Sequence, residues 1–420
     1  MESLRNKAYN LLRRSESLFK TDMVYAAKGG FWISFGQGMS SLLSLFLIIA
    51  FANLLPKETY GMYKYILSLA GILNIFTLTG MNSAVSQTVA VGHDGALRSS
   101  VRYQLKWNLL MLLAFWILSG YYFMQGDDLL SISFLTLGAF IPATLALNTY
   151  GAYLDGKREF KLASLATMGS TVIYVIGVLA AIFLSGEVIW IIFAYAATTF
   201  VSTLFFYFFT IKKFKPPAED GGEVLRYGRK LTYVGFIGPV ASQIDKIILT
   251  HFWGPAQLAI YALALAVPEK AVALLKNWVG IGLPKFSVKT AAELNTVFYR
   301  RIFQGILIGA LAALIYVALA PYLFKYLLPQ YLDSILYSQI LALSFLFAIP
   351  NRYISLLLVS QKMSGAIFAN SALQSVLQIL FYVVLGIWGG IMGLILANVI
   401  FNFVGMIANI SIWRLNSRGI

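Results

Sequence analysis

The stretch SQIDKIILTHFWGPAQLAIYALALAVPEKAVALLKN, residues 242–277, decides what kind of molecule this is. Two long apolar runs flank a Trp253-Gly254-Pro255 turn, so the segment reads as a helical hairpin. Five charges sit inside the runs: Asp245, Lys246, Glu269, Lys270 and Lys276. A charged side chain at the centre of a membrane helix costs roughly 2.5–3.5 kcal/mol on insertion scales. Such residues face a cavity or a partner rather than lipid. The rest of the chain is expected to place this hairpin, and a matching one near the start, around a polar cavity.

The composition agrees. Of 420 residues, 59% are hydrophobic and only 12% charged, and the mean hydropathy is +0.76. Soluble domains carry about 25% charged residues. The chain is therefore expected to be an all-α polytopic membrane protein. A net charge of +15 would point to nucleic acid in a soluble protein; here it fits basic loops against anionic lipid, and no nucleic-acid partner is expected. Cysteine is absent, which excludes disulfides, thiolate metal sites and a Cys nucleophile. The two histidines, His93 and His251, stand apart from metal-type partners. The first apolar run, near Gly29, is too long for a cleavable signal peptide.

Twelve apolar spans follow, at about 30–52, 60–82, 104–124, 130–152, 163–184, 188–210, 231–252, 256–280, 302–324, 334–358, 365–386 and 390–412, each near the ~20 residues of a crossing. Of the 32 Lys and Arg residues, 25 fall in the termini and loops of one side. The loops of the other side hold only Lys57 and Lys325. The positive-inside rule puts both termini in the cytoplasm. Residues 1–28, basic and with Leu4, Ala8, Leu11 and Leu12 at helical spacing, read as an amphipathic segment on the inner leaflet, a disordered basic tail being the alternative. The remaining divisions are a six-span bundle over 29–210, a cytoplasmic linker over 211–230, a second six-span bundle over 231–413, and a tail at 414–420.

The halves echo each other. Phe51-Ala52-Asn53-Leu54-Leu55-Pro56 leads to Tyr60-Gly61-Met62-Tyr63, and His251-Phe252-Trp253-Gly254-Pro255 leads to Ala259-Ile260-Tyr261. A weak repeat between halves is a transporter signature, with the substrate site at their interface. These two turns, the Gln243-Ile244-Asp245-Lys246-Ile247-Ile248-Leu249 segment and the six-plus-six layout resemble the multidrug/oligosaccharidyl-lipid/polysaccharide exporter superfamily. Within it, the chain resembles the bacterial O-antigen-type (Wzx-like) polysaccharide flippases. The resemblance implies two six-helix bundles forming a V around a central cavity lined by the first, second, seventh and eighth spans. It implies alternating access in the bacterial inner membrane, a polyprenyl-pyrophosphate-linked oligosaccharide as cargo, polymerase or ligase machinery as neighbours, and a monomer.

A pyrophosphate crossing the membrane needs fixed cations in place of its water. Lys64, Lys246, Lys270, Lys276 and Arg352 are the candidates, spread along four spans as a ladder of positive sites; snorkelling or ion pairing is the alternative for each. Asp245 and Glu269 either neutralise these cations or bind a coupling H+ or Na+; the membrane potential is another source of drive. Adjacent in sequence, Asp245 and Lys246 are expected to point apart. Sugars need neutral hydrogen-bonding surfaces. Ser34, Gln37, Ser41 and Ser44 form a stripe on the first span, and Asn370, Gln374 and Gln378 one on the eleventh. Asn398, Asn402 and Asn409 form another on the twelfth, and Asn74 joins the polar lining. Packing between helices is the alternative for these stripes. Pro239, after Gly235 and Gly238, and Pro268, before Glu269-Lys270, are hinge candidates or static kinks.

No G-x-x-x-x-G-K-[ST], G-x-S-x-G or H-E-x-x-H motif occurs. The chain is not expected to be an ATPase or another enzyme, or to hold a cofactor or metal. An ion-coupled drug antiporter of the same superfamily remains an alternative, as does a membrane glycosyltransferase or polymerase; the outer loops are short for a catalytic domain.

Overall fold

The computed structural model describes residues 23–217, 221–280, 286, 290–361 and 363–417. Residues 1–22 of the expected surface segment over 1–28, the centre of the linker at 218–220 and the last residues at 418–420 lie outside them. Every regular element among the described residues is helical. Nine of these helices are long and apolar enough to cross a bilayer, and the bent pair Lys57–Phe76 with Met81–Ala90, meeting at 59°, makes a tenth.

One of the nine, Ser364–Ser417, has 54 residues. It is not one rod. Gly390 has φ 54 and ψ −135, a conformation that only glycine adopts without strain. On either side of it the chain packs on itself. Asn398 Nδ2 donates to the Tyr382 hydroxyl at 2.9 Å. Gln374 Nε2 donates to the Gly405 carbonyl at 3.1 Å. A Cβ added to Gly393 would lie 1.9 Å from the Leu385 carbonyl oxygen. These pairs are symmetric about Gly390, so the element is a hairpin of two antiparallel helices, matching the expected spans 365–386 and 390–412.

The seventh expected span, 231–252, is broken into three pieces: Gly222–Val234, Gly238–Ala241 and Ile244–Trp253. The break falls at Gly235–Ile237, just before Pro239, which opens the short middle piece. There the missing proline N–H costs no hydrogen bond. Helix also extends back into the expected linker, as far as Gly222. That stretch is amphipathic, and its apolar side docks on the protein. Gly254, at φ 86, ends the third piece, and Pro255 opens the next helix, Pro255–Gly280. Pro268 lies inside that helix without ending it. Two helix starts carry side-chain caps: Asp127 Oδ1 accepts from Leu130 N at 3.0 Å, and Thr290 with Glu293 forms a capping box.

The largest buried cluster joins the two halves at the end carrying the Pro56 and Pro255 turns. Phe51, Tyr60 and Tyr63 meet Leu258, Tyr261 and Phe324 there. The Phe51 ring lies 5.1 Å from that of Tyr60 and 4.7 Å from that of Tyr63. The helix Lys57–Ile72 packs directly on Pro255–Gly280. Gly61 makes this possible, because a Cβ there would sit 1.7 Å from the Pro255 carbonyl oxygen. At the opposite, basic end, Gly222–Val234 lies across Met81–Ala90. Gly80 N donates to Thr232 Oγ1 at 3.1 Å, and the Tyr227 hydroxyl to Gln87 Oε1 at 3.0 Å. The two broken segments thus cross each other where both are bent.

Candidate functional site

The charged residues of 242–277 converge with Lys64. Asp245 begins the helical piece Ile244–Trp253 and is 5% exposed. Its Oδ2 accepts from the buried Tyr261 hydroxyl at 2.9 Å, across the Gly254 turn. Its Oδ1 lies 3.7 Å from Lys246 Nζ. The expectation that these neighbours point apart is corrected here. The Lys246 side chain folds back along its own helix, donating to Ser242 O at 3.2 Å and to Gln243 Oε1 at 3.1 Å. A four-carbon stem can reach round the helix surface in a way that the Cβ direction alone does not reveal.

Glu269, about two helical turns beyond Tyr261, is exposed. It lies within charge-interaction range of Lys246, Asp245, Lys64 and Lys270. Lys64 reaches it from the other half of the molecule, its Nζ 5.4 Å from the centre of the Tyr60 ring. Farther along, Lys276 interacts with Glu269 and with Arg352, and both basic side chains are exposed. Five cations and two carboxylates from four helical segments therefore form one continuous set. Attractive and repulsive pairs alternate within it, and the surplus is positive. Fixed ammonium and guanidinium groups in such surplus are chemically able to replace the water an anion loses.

The polar stripes divide. Ser34 and Gln37 are exposed and Ser41 half-buried, while Gly36, on another side of the same helix, packs against Ser164. Gln374 is engaged in packing: besides Gly405 O, its Nε2 reaches Asn370 Oδ1 at 3.5 Å. The twelfth-span asparagines join helices. Asn402 Nδ2 donates to Asn398 Oδ1 at 3.1 Å. Asn409 Nδ2 donates to Asn351 Oδ1 at 2.8 Å, and Asn351 Nδ2 to Asn402 O at 3.0 Å. Asn74 instead lines two cavities in and beside the first half.

Sequence reasoning overlooked the tyrosines. Tyr261 holds Asp245, and Tyr60 lies under Lys64 and near Glu269. Tyr382 is placed near Asp245 and Glu269 by its bond from Asn398. For Tyr261 a signal existed: positions 245 and 261 are nearly equidistant from Gly254, as facing residues of an antiparallel hairpin are. Among the described residues no group of three or more His, Asp or Glu is arranged to hold a metal ion.

Comparison with known proteins agrees with this architecture. No curated protein sequence matches the chain. Among solved structures, it is similar to the outward-facing conformation of a multidrug resistance MATE family transporter of the MOP superfamily, with a TM-score of 0.63 at 17% identity over 94% of this chain and 96% of that one. It is similar to the lipid II flippase MurJ in an inward closed conformation, with a TM-score of 0.63 at 16% identity over 92% and 90%. A MOP superfamily transporter from Pyrococcus furiosus, described as having a binding pocket of reverse polarity, gives 0.60 at 16% over 94% and 95%. These likenesses show the fold. The profile of the polysaccharide biosynthesis protein family matches residues 26–269, more than half of the chain and the whole of the charged hairpin up to Glu269. The chain accordingly belongs to the polysaccharide biosynthesis protein family, and its fold is like that of the MATE transporter and lipid II flippase structures to which it is similar.

Proposed function

We propose that the protein is a flippase that moves a polyprenyl-pyrophosphate-linked oligosaccharide from the cytoplasmic to the outer leaflet of the bacterial inner membrane by alternating access. The observation that carries this reading is the surplus of cations in the converging set: Lys64, Lys246, Lys270, Lys276 and Arg352 against Asp245 and Glu269. The family's link to polysaccharide biosynthesis and the likeness in fold to a lipid II flippase support the cargo class. On this reading the chain makes twelve crossings, with the Gly390 hairpin counted twice and the three pieces over 222–253 counted once. Residues 29–210 and 231–413 form the two bundles around 211–230, and the basic loops, with both termini, face the cytoplasm.

The pyrophosphate sits among the five cations in turn as the cleft opens to one side and then the other. Pro239, beside the break at Gly235–Ile237, and Pro268, inside Pro255–Gly280 just before Glu269-Lys270, act as hinges. Asp245, buried and already bonded to Tyr261 and Lys246, holds the cation set in place. Glu269, open to the cleft and surrounded by four other charges, is the better candidate to take up a coupling H+ or Na+. An ion-coupled drug antiporter would need acids to prevail where the cargo binds, and the charge balance runs the other way.

The test is made in the source cells. Depletion of the protein is expected to leave a polyprenyl-pyrophosphate glycan accumulating on the inner leaflet, protected from probes added outside spheroplasts. Lys270→Glu and Arg352→Glu variants should be made in normal amount and fail to relieve that accumulation. Normal glycan export in either variant would overturn the assignment of the cations.

A further inference from the structure

We infer that the first half of the molecule contains a separate chamber for the uncharged sugars of the cargo, built around Asn74, Asn82 and Asn148. This rests on the flippase reading and adds where the glycan is read. Three cavities, of about 310, 550 and 400 Å³, open beside one another along the bent pair Lys57–Phe76 and Met81–Ala90. Each falls in the size range of small-molecule sites, roughly 300–1,000 Å³. They share walls: Asn74 lines the first and third, Asn148 the first and second, and Asn82 the second and third. The three cavities thus adjoin, with an asparagine at each junction, and together make up the proposed chamber.

The side-chain amides of these three residues make no hydrogen bond to any described residue. Asn82 and Asn148 are exposed and Asn74 half-buried, so their amides are not spent on the fold and are open to a ligand that enters the cavities. An asparagine offers two donors and two lone pairs, the set that matches the hydroxyl and acetamido groups of a sugar ring. Tyr195 and Tyr150 supply ring faces in the first two cavities, against which a sugar's C–H face can lie. Asp155 is the one ionisable side chain among the residues lining the three cavities other than these tyrosines. An uncharged sugar is therefore suited to the chamber and an acidic one is repelled.

Its position matches the covalent order of the cargo. Gln243 lines the third cavity, and the same Gln243 holds Lys246 Nζ at 3.1 Å. A pyrophosphate on the cation set would thus direct its attached sugars into the chamber by way of Gln243.

The test uses purified full-length protein and two probes: synthetic C55 polyprenyl pyrophosphate without sugar, and the pyrophosphate-linked glycolipid fraction extracted from source cells depleted of the protein. Binding is read by displacement of radiolabelled sugar-free lipid. The wild type is expected to bind the glycolipid about tenfold or more tighter than the sugar-free lipid. Combined Asn74→Ala, Asn82→Ala and Asn148→Ala should abolish that advantage while leaving sugar-free lipid binding within about twofold. Asn82→Ala alone, at an exposed position, keeps the test open if the triple variant does not fold; it should lose at least threefold of the advantage. Equal affinity for the two lipids in the wild type would overturn the chamber and leave the flippase reading intact. An advantage that survives the asparagine substitutions would also overturn it. Failure of the wild type to bind either probe above phosphatidylglycerol would overturn the flippase reading itself.

Discussion

The Tyr261 hydroxyl donates to Asp245 Oδ2 at 2.9 Å across the Gly254 turn, and both side chains are buried. This bond fixes the register of the charged hairpin, because it ties the start of Ile244–Trp253 to the body of Pro255–Gly280. Asp245 Oδ1 has no hydrogen-bond partner and faces Lys246 at 3.7 Å, so the carboxylate depends on few contacts. Tyr261→Phe removes one of them without changing shape. It is expected to cost about 1.5–3 kcal/mol of stability, the range for a hydrogen bond to a charged group. Thermal unfolding of the purified protein checks this. Asp245→Asn with Tyr261→Phe should cost less than the sum of the two, and strict additivity would mean that the bond contributes nothing.

A second prediction concerns the end of the molecule where the halves meet. Asn53 Nδ2 donates to the Leu327 carbonyl at 2.8 Å, and Gln330 Nε2 to the Asn53 carbonyl at 3.3 Å. Lys57 lies 3.7 Å from Asp333. The chain has no cysteine, so a single Met62→Cys, half-buried behind these contacts, reports their opening. Asn53→Ala should raise the rate of labelling of that cysteine by about five- to tenfold, as expected for losing roughly 1 kcal/mol of closure. An unchanged rate would show that the contacts do not hold this end shut.

Gly61 and Gly38 give a paired test of close packing. A Cβ at Gly61 would lie 1.7 Å from Pro255 O, whereas one at Gly38 meets nothing within 4 Å. Gly61→Ala must push two helices apart and should cost more than about 2 kcal/mol. Gly38→Ala should be neutral or gain up to about 1 kcal/mol from helix propensity. Unfolding temperatures measured side by side decide it, and similar values for the two variants would refute the contact.

The opposite end offers the converse. Thr232 Oγ1 accepts from Gly80 N at 3.1 Å and donates to Gly228 O at 2.9 Å, in buried surroundings. Thr232→Val keeps the shape and strands the Gly80 N–H, at a cost of about 1–3 kcal/mol. A cysteine placed at Ser86 should become more reactive in that variant, while Met62→Cys labelling stays the same or falls. A rise at both ends would indicate general loosening rather than a seesaw between two closures.

Much of this molecule was legible in its sequence. Apolar runs of about 20 residues force helices across a bilayer, because no other local structure satisfies the backbone there. The charges around the turn at Gly254-Pro255 marked a place where charged side chains gather, because charge in lipid is too costly to be incidental. Lys64, Asp245, Lys246, Glu269, Lys270, Lys276 and Arg352 do come into one set.

What the sequence could not determine depends on which surfaces face each other. Pairing of Asp245 with Lys246 turned on how a long side chain folds back, not on where its Cβ points. The amides of Asn370, Gln374, Asn398 and Asn402 look the same in sequence as those of Asn74 and Asn148. The first group bonds within and between helices, and the second opens into cavities. The break of the seventh span beside Pro239 was expected from Gly235, Gly238 and Pro239 themselves, whereas the reach of helix back to Gly222, packed on Met81–Ala90, joins positions some 150 residues apart. Local propensity and hydropathy set which segments become helices. The partner each helix face meets is a property of the whole packing, and that alone decided which of these polar groups are spent on the fold and which open into cavities.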